Sequence, residues 1–339
     1  MSAIYLDHAA TTPLLPAARE AMLEGFARWA NPSSPHAPGR AARAALEEAR
    51  ARVKAALGWR GEVIFTSGAS EALALAITRS AAPLAAVSAV EHEAVLRWAG
   101  DALRLAVDSA GRVLLDAALG GLFAVQHVNN ETGLIQPLDE IATAVREGGG
   151  VLLADCAQSA GKIALPDADL IAISAHKFGG PIGTGALLVR DWALLRPTGG
   201  QERGYRGGTE NLPGAVAMAA ALEAGRDWLV MAARLRAALD AGIIAAGGEV
   251  VAAEASRLAT IAGYRMPGRS ANAQLIRFDG MGFAVSAGSA CSSGSLKASP
   301  VLTAMGHPHA GEVIRVSIGR ETTQYEIDAF LAAWREIGG

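Results

Sequence analysis

Two cysteines, four lysines and a near balance of charge narrow the possibilities before any motif is weighed. Cys156 and Cys291 are too few for a disulfide scaffold in a chain of 339 residues, and they lack the short paired spacing of a zinc site. No metal is expected on these grounds. A net charge of −3 gives no electrostatic reason to expect nucleic acid or an acidic membrane as partner. No apolar run approaches the ~18 residues that cross a bilayer. The opening MSAIYLDHAATTPL has neither a basic nor an apolar signal region, so a cytoplasmic location is the expectation. No G-x-G-x-x-G opens the first β-α unit, which speaks against a nicotinamide dehydrogenase.

What the chain does hold is half hydrophobic residues, rich in Ala, Gly and Leu, the composition of a soluble α/β protein of about two domains. The stretch 40–57 reads as a helix of good helix formers stopped by Gly58. Short apolar runs at 62–66, 85–90, 122–128, 151–154 and 170–174 read as strands buried on both faces of a mainly parallel sheet. One long Ala- and Leu-rich helix is expected over about 217–241. The pattern changes from Arg226 onward, towards a smaller α/β unit that closes with an amphipathic helix. The expected division is a large domain over 13–226, and a small domain made of 1–12 with 227–339.

Each of the five strands leads into polar, chemically capable residues: Ser67-Gly68-Ala69-Ser70, Glu91-His92, Asn129-Asn130-Glu131, Asp155-Cys156 and His176-Lys177. Ligands of open α/β sheets lie beyond the carboxyl ends of the strands, so these tips should converge on one site. The small-residue turn at 67–70 suits a phosphate at a helix start, or is a plain helix cap. Asp155 at the end of a buried strand needs a positive partner, either a protonated cofactor ring nitrogen or a nearby arginine. His92 could stack on a flat ring or be an ordinary half-buried histidine. Lys177, one of the four lysines, sits where a strand empties into a glycine-rich turn. Such a place suits the lysine that pyridoxal phosphate enzymes attach to their cofactor, with Ser174 and His176 beside it for the phosphate. Cys291 lies in SAGSACSSGS, a run without packing side chains, as a reactive thiol on a loop would. Cys156 reads as packing.

Ten stretches in order along nearly the whole chain carry a more specific likeness: YLDHAATTP, NPSSPH, IFTSGASEA, EHEAVL, HVNNETG, DCAQSAGK, SAHKFGGPIGTGAL, RGGTEN, SAGSACSSGS and IRVSIGR. On these the chain resembles the fold-type I pyridoxal phosphate enzymes of the class V aminotransferase group, and within it the cysteine desulfurases. The resemblance implies a mainly parallel central sheet with helices on both faces plus a smaller α/β domain, and pyridoxal 5′-phosphate as cofactor. It implies Lys177 as the Schiff-base lysine, Asp155 at the pyridine nitrogen, Gln158 at the phenolic oxygen and His92 on the ring face. The phosphate would be held by Ala69, Ser70, Ser174 and His176, with Thr209 reaching across from a second subunit of a homodimer. Asn130 and Arg315 would bind the substrate carboxylate.

The implied reaction converts L-cysteine to L-alanine and leaves the sulfur on Cys291 as a persulfide, with His92 as a further proton carrier. The sulfur then passes to an acceptor protein, for iron–sulfur cluster assembly or other delivery. A selenocysteine lyase and a class V aminotransferase are the enzymatic alternatives, and an inactive sulfur-transfer scaffold the non-enzymatic one. Against the family pattern the segment between His92 and His127 is short, and so is the stretch after IRVSIGR, where longer relatives dock a scaffold protein. Ser70 stands where threonine is usual and keeps the hydroxyl.

Overall fold

The computed structural model describes residues 3–115, 120–288 and 299–339. Cys291, in the segment 289–298, therefore lies outside the described residues. The expected strands form, within a residue or two, as Glu62–Thr66, Leu84–Ser88, Gly121–Gln126, Gly150–Asp155 and Leu170–Ser174. Two more join them, Leu103–Leu105 and Gly185–Val189, giving a seven-stranded sheet. Its order starts at Glu62–Thr66 and continues through Gly185–Val189, Leu170–Ser174, Gly150–Asp155, Gly121–Gln126 and Leu84–Ser88 to Leu103–Leu105. Every pairing is parallel except the two made by Gly185–Val189, which is antiparallel to both neighbours. The other six strands therefore run in one direction and end on one side of the sheet.

The central strands are buried along their length, which is why they read as apolar runs rather than alternating ones. Helices cover the sheet. Ala37–Leu57 begins with His36, whose side chain accepts the Gly39 N–H, and ends at Gly58 with φ 65°. Its apolar face joins a core with Phe65, Phe123, Leu152 and Met218. A helix from Ala69 to Arg79 packs on the opposite side through Leu73 and Ala76 against Ile64 and Leu170.

The single helix expected over 217–241 is two helices, Leu212–Glu223 and Trp228–Ala245. Gly225 between them has φ 75°, a left-handed conformation that stops an α-helix and that glycine adopts without strain. The first of the two packs on the core of the large sheet through Ala215 and Met218. The second belongs to a separate core with Tyr264, Phe278, Ile314, Phe330 and Trp334. A three-stranded antiparallel sheet of Glu249–Val250, Ile261–Arg265 and Val313–Ser317 supports that second core. Leu6, from the start of the chain, is fully buried in it, and Ile4–Tyr5 pairs with Phe283–Ala284. The closing helix Gln324–Gly338 begins with a capping box between Thr323 and Glu326.

Backbones meet closely where the sheet adjoins the turn at 67–70. A Cβ on Gly185 would lie 2.5 Å from the Ile173 carbonyl oxygen and 2.6 Å from Gly68 Cα. Both obstacles are main chain and cannot swing aside. Gly185→Ala should therefore destabilise the protein by about 1–3 kcal/mol, the usual range for overpacking, measured by denaturant unfolding. An unchanged midpoint would show that this approach is not required.

Candidate active site

The five strand tips do converge. A cavity of about 800 Å³ is lined by Ser67–Ser70, Glu91, His92, Gln126, Asn130, Glu131, Asp155, Gln158, Ser174, His176 and Lys177. Gly288 and Arg315 close it from the side of the second core. Of the expected site residues among those described, all but Thr209 line this cavity; Thr209 is exposed and stands outside it.

Lys177 follows Leu170–Ser174 in a single turn of 3₁₀ helix, Ala175–Lys177, which carries its side chain to the strand tips. Nζ donates to the carbonyl oxygens of Ala9 at 2.6 Å and Ala10 at 2.7 Å. The start of the chain thus holds the amine in place. A second of the four lysines, Lys162, shares a small cavity with Lys177 behind this point. Burial, and then the charge of Lys177, push the Lys162 amine down to about 7. Nothing in the sequence singled out Lys162, because only the folded chain brings the two lysines together.

Asp155 ends Gly150–Asp155 and is 9% exposed. Burial raises its pKa, opposed by the Ala157 N–H that Oδ1 accepts at 2.9 Å and by the charges of His92 and Lys177. His92 caps a short helix: its Nδ1 accepts the Ala94 N–H at 3.0 Å, so in the neutral ring the proton sits on Nε2. Gln158 donates from Nε2 to Ala9 O at 2.9 Å, while its Oε1 is buried without a hydrogen-bond partner among the described residues.

The turn at 67–70 opens the helix Ala69–Arg79, whose first N–H groups have no partners inside the helix. Ser174 Oγ faces Gly68, close to where a Cβ there would stand. His176 Nδ1 lies 3.1 Å from Thr11 Oγ1, and burial, with the charges of Lys177 and Lys162, lowers its pKa to about 4. It is therefore neutral near pH 7. Glu71, an acid at this helix start, is held by Arg206 at 2.8 Å, so its charge is matched.

Arg315 stands on Val313–Ser317, in the second core's sheet. Nη2 pairs with Asp7 Oδ1 at 2.7 Å and Nη1 donates to Asn130 O at 3.0 Å, while Nε is buried with no partner among the described residues. The pair with Asp7 was not legible in the sequence, since 308 positions separate the two residues. The guanidinium is thereby fixed at the cavity edge, where a carboxylate would meet it.

These groups fit pyridoxal phosphate by their chemistry: a buried acid for a ring nitrogen, a helix start with hydroxyls for a phosphate, and a primary amine for an aldehyde. The Gln158 oxygen is one more polar atom in this wall, without a partner among the described residues.

Cys156, beside Asp155, is fully buried and lies 3.9 Å from His127 Nδ1. Burial pushes its thiol far above the ordinary value, so it stays protonated and inert. In Cys291→Ser protein, a thiol reagent should find no reactive group until the chain is unfolded. Rapid labelling of the folded variant would contradict this.

Comparison with known proteins agrees with this geometry. A family model described as Aminotransferase class-V matches residues 4–330. A cysteine desulfurase of Gluconacetobacter diazotrophicus is 36% identical over 98% of this chain and 92% of that protein. An IscS-like cysteine desulfurase of Mycobacterium tuberculosis is 37% identical over 96% of this chain and 94% of its own length. Among solved structures, a NifS-like protein of Rickettsia africae superposes with a TM-score of 0.89 at 28% identity, covering 99% of both chains. Another NifS-like protein gives 0.87 at 30% identity, again over 99% of each. With a single family model spanning almost its whole length and full-length relatives above one third identity, the chain belongs to the class V aminotransferase family.

Proposed function

We propose that this chain is a pyridoxal-phosphate-dependent cysteine desulfurase, releasing L-alanine and passing sulfur through Cys291 to an acceptor protein. The observation that carries it is the meeting of Lys177, Asp155 and Arg315 in one cavity, in a chain whose full-length relatives are named cysteine desulfurases. The cofactor, when bound, supplies an aldehyde that captures the substrate amine and a protonated ring that draws electrons from its α-carbon.

The protein's part follows from its own groups. Lys177 Nζ would hold the aldehyde and, once released from it, move the proton at the substrate α-carbon. Asp155 would keep the ring nitrogen protonated, because a buried carboxylate favours a cation beside it. Gln158 would address the phenolic oxygen. His92, with Nδ1 engaged by Ala94, would present its ring face and the Nε2 proton. Ala69, Ser70, Ser174 and neutral His176 would hold the phosphate. Thr209, exposed in one chain, would complete that cradle in a second copy, which makes the working form a homodimer. Arg315 and Asn130 would hold the substrate carboxylate, the guanidinium already aligned by Asp7. The Cys291 thiolate would attack the substrate sulfur. The carbon–sulfur bond would break as the sulfur–sulfur bond forms, and the carbon would keep the electron pair and take up a proton to become the alanine methyl group.

Two cores meeting at one cavity suit the two-domain division at 226/227, with residues 1–12 on the smaller side. Among the described residues, no helix is long and apolar enough to cross a membrane.

The test is a reconstituted assay. Protein loaded with pyridoxal phosphate should gain a visible absorption band that Lys177→Ala lacks, and should convert L-cysteine to alanine with sulfide appearing under reductant. Cys291→Ser should lose sulfide formation by at least ~10²-fold while keeping the band, as expected when a nucleophile is removed and binding is not. Transamination of other amino acids, undiminished in Cys291→Ser, would assign the chain to the aminotransferases instead.

A further inference from the structure

A second buried acid stands at the strand tips, two strands from Asp155. Glu91 follows Leu84–Ser88, is 3% exposed, and lines the same cavity. Its Oε1 accepts the Gln126 N–H at 2.6 Å, and Gln126 is the register partner of Asp155 across the sheet. Its Oε2 is buried and has no hydrogen-bond partner among the described residues. Gln126 is itself tied down, its side chain donating to the Val90 carbonyl, so the N–H that holds Glu91 Oε1 is fixed.

Two buried carboxyl groups with so little compensating charge do not readily both ionise. The surroundings decide which one keeps the proton. Asp155 has the Ala157 N–H, and His92 and Lys177 act on it in the sense that favours its anion. Glu91 has the Gln126 N–H and the neutral Ser88 hydroxyl, and the one charged group bearing on it is Asp155. Burial, and then that like charge, push Glu91 well above the ordinary carboxyl range.

We propose that Glu91 is a neutral acid at neutral pH and a positioning residue, the proton-bearing member of an acid pair whose anion is Asp155. In this form its carbonyl oxygen accepts from Gln126, and its hydroxyl is a donor available to whatever fills the cavity. A neutral neighbour leaves Asp155 without a competing negative charge. A charged one would push Asp155 itself towards protonation and remove its hold on a cation. Only this last link, from Asp155 to a ring nitrogen, rests on the function proposed above.

The proton can be seen directly. Infrared spectra of the apoprotein, carbon-13 labelled at the glutamate carboxyl, should show the carbonyl stretch of a protonated glutamic acid at neutral pH. Glu91→Gln should remove it. Glu131, the other glutamate whose pKa burial raises, is the control, and Glu131→Gln should leave the Glu91 band in place. Stability gives an independent readout. The unfolded chain releases this proton near the ordinary 4.5, whereas the folded protein keeps it, so Glu91 costs stability increasingly as pH rises above that value. An amide matches a neutral acid and does not titrate. The Tm of Glu91→Gln should therefore gain on that of the wild type as pH rises from about 5 to about 8.

No labelled band at neutral pH, or one lost only in Glu131→Gln, would overturn the proposal. So would a Tm difference that does not change with pH. Should Glu91→Gln fail to fold, the spectrum of Glu131→Gln decides, its band supporting the proposal and the lack of one refuting it. Because these measurements use apoprotein, a chain that never takes up pyridoxal phosphate would sink the function above and leave this result standing.

Discussion

Taking the carboxylate of Asp155 out of water is the constraint on which the site end of this molecule depends. A buried acid is stable only if it is hydrogen-bonded and matched by positive charge. The structure meets the first need with the Ala157 N–H and approaches the second with Lys177 and His92 nearby. Asp155 still has a raised pKa, so the match is incomplete, and the proposed cationic ring nitrogen would complete it. The same scarcity of compensating charge keeps a proton on Glu91, two strands away.

The fold makes this concentration of groups possible by running six strands of the large sheet in one direction, so that their polar ends share one rim. A sheet alone leaves that rim open on one side. The second core closes it with the strand that bears Arg315, and the first residues of the chain join the two halves. Asp7 holds Arg315, while the carbonyls of Ala9 and Ala10 hold Lys177. One short segment therefore sets the positions of the groups expected to carry the substrate carboxylate and the cofactor aldehyde. A change in how the two cores sit would move both together.

Much of the site was legible because its residues follow strands, and strands that are buried on both faces announce themselves as uninterrupted apolar runs. The tips at 67–70, 92, 130, 155 and 177 needed only the rule that such ends converge. The break at Gly225 was hidden by the helix formers on both sides, which make one long helix by propensity although one left-handed residue divides it. The antiparallel course of Gly185–Val189 was equally hidden, since strand direction leaves no mark on composition.

The sequence by itself determined five of the large sheet's seven strands, the polar end of each of those five, the family and the identity of the groups expected to do chemistry. These depend on local pattern: apolar runs, turn residues, and motifs in a fixed order. Only the tertiary structure decided that Arg315 pairs with Asp7, that Lys162 lies behind Lys177, and that Glu91 and Asp155 face one cavity. Those relations depend on strand order and register, which bring distant residues within a few ångströms. They depend as well on the exclusion of water, which sets how many charges a small space can hold.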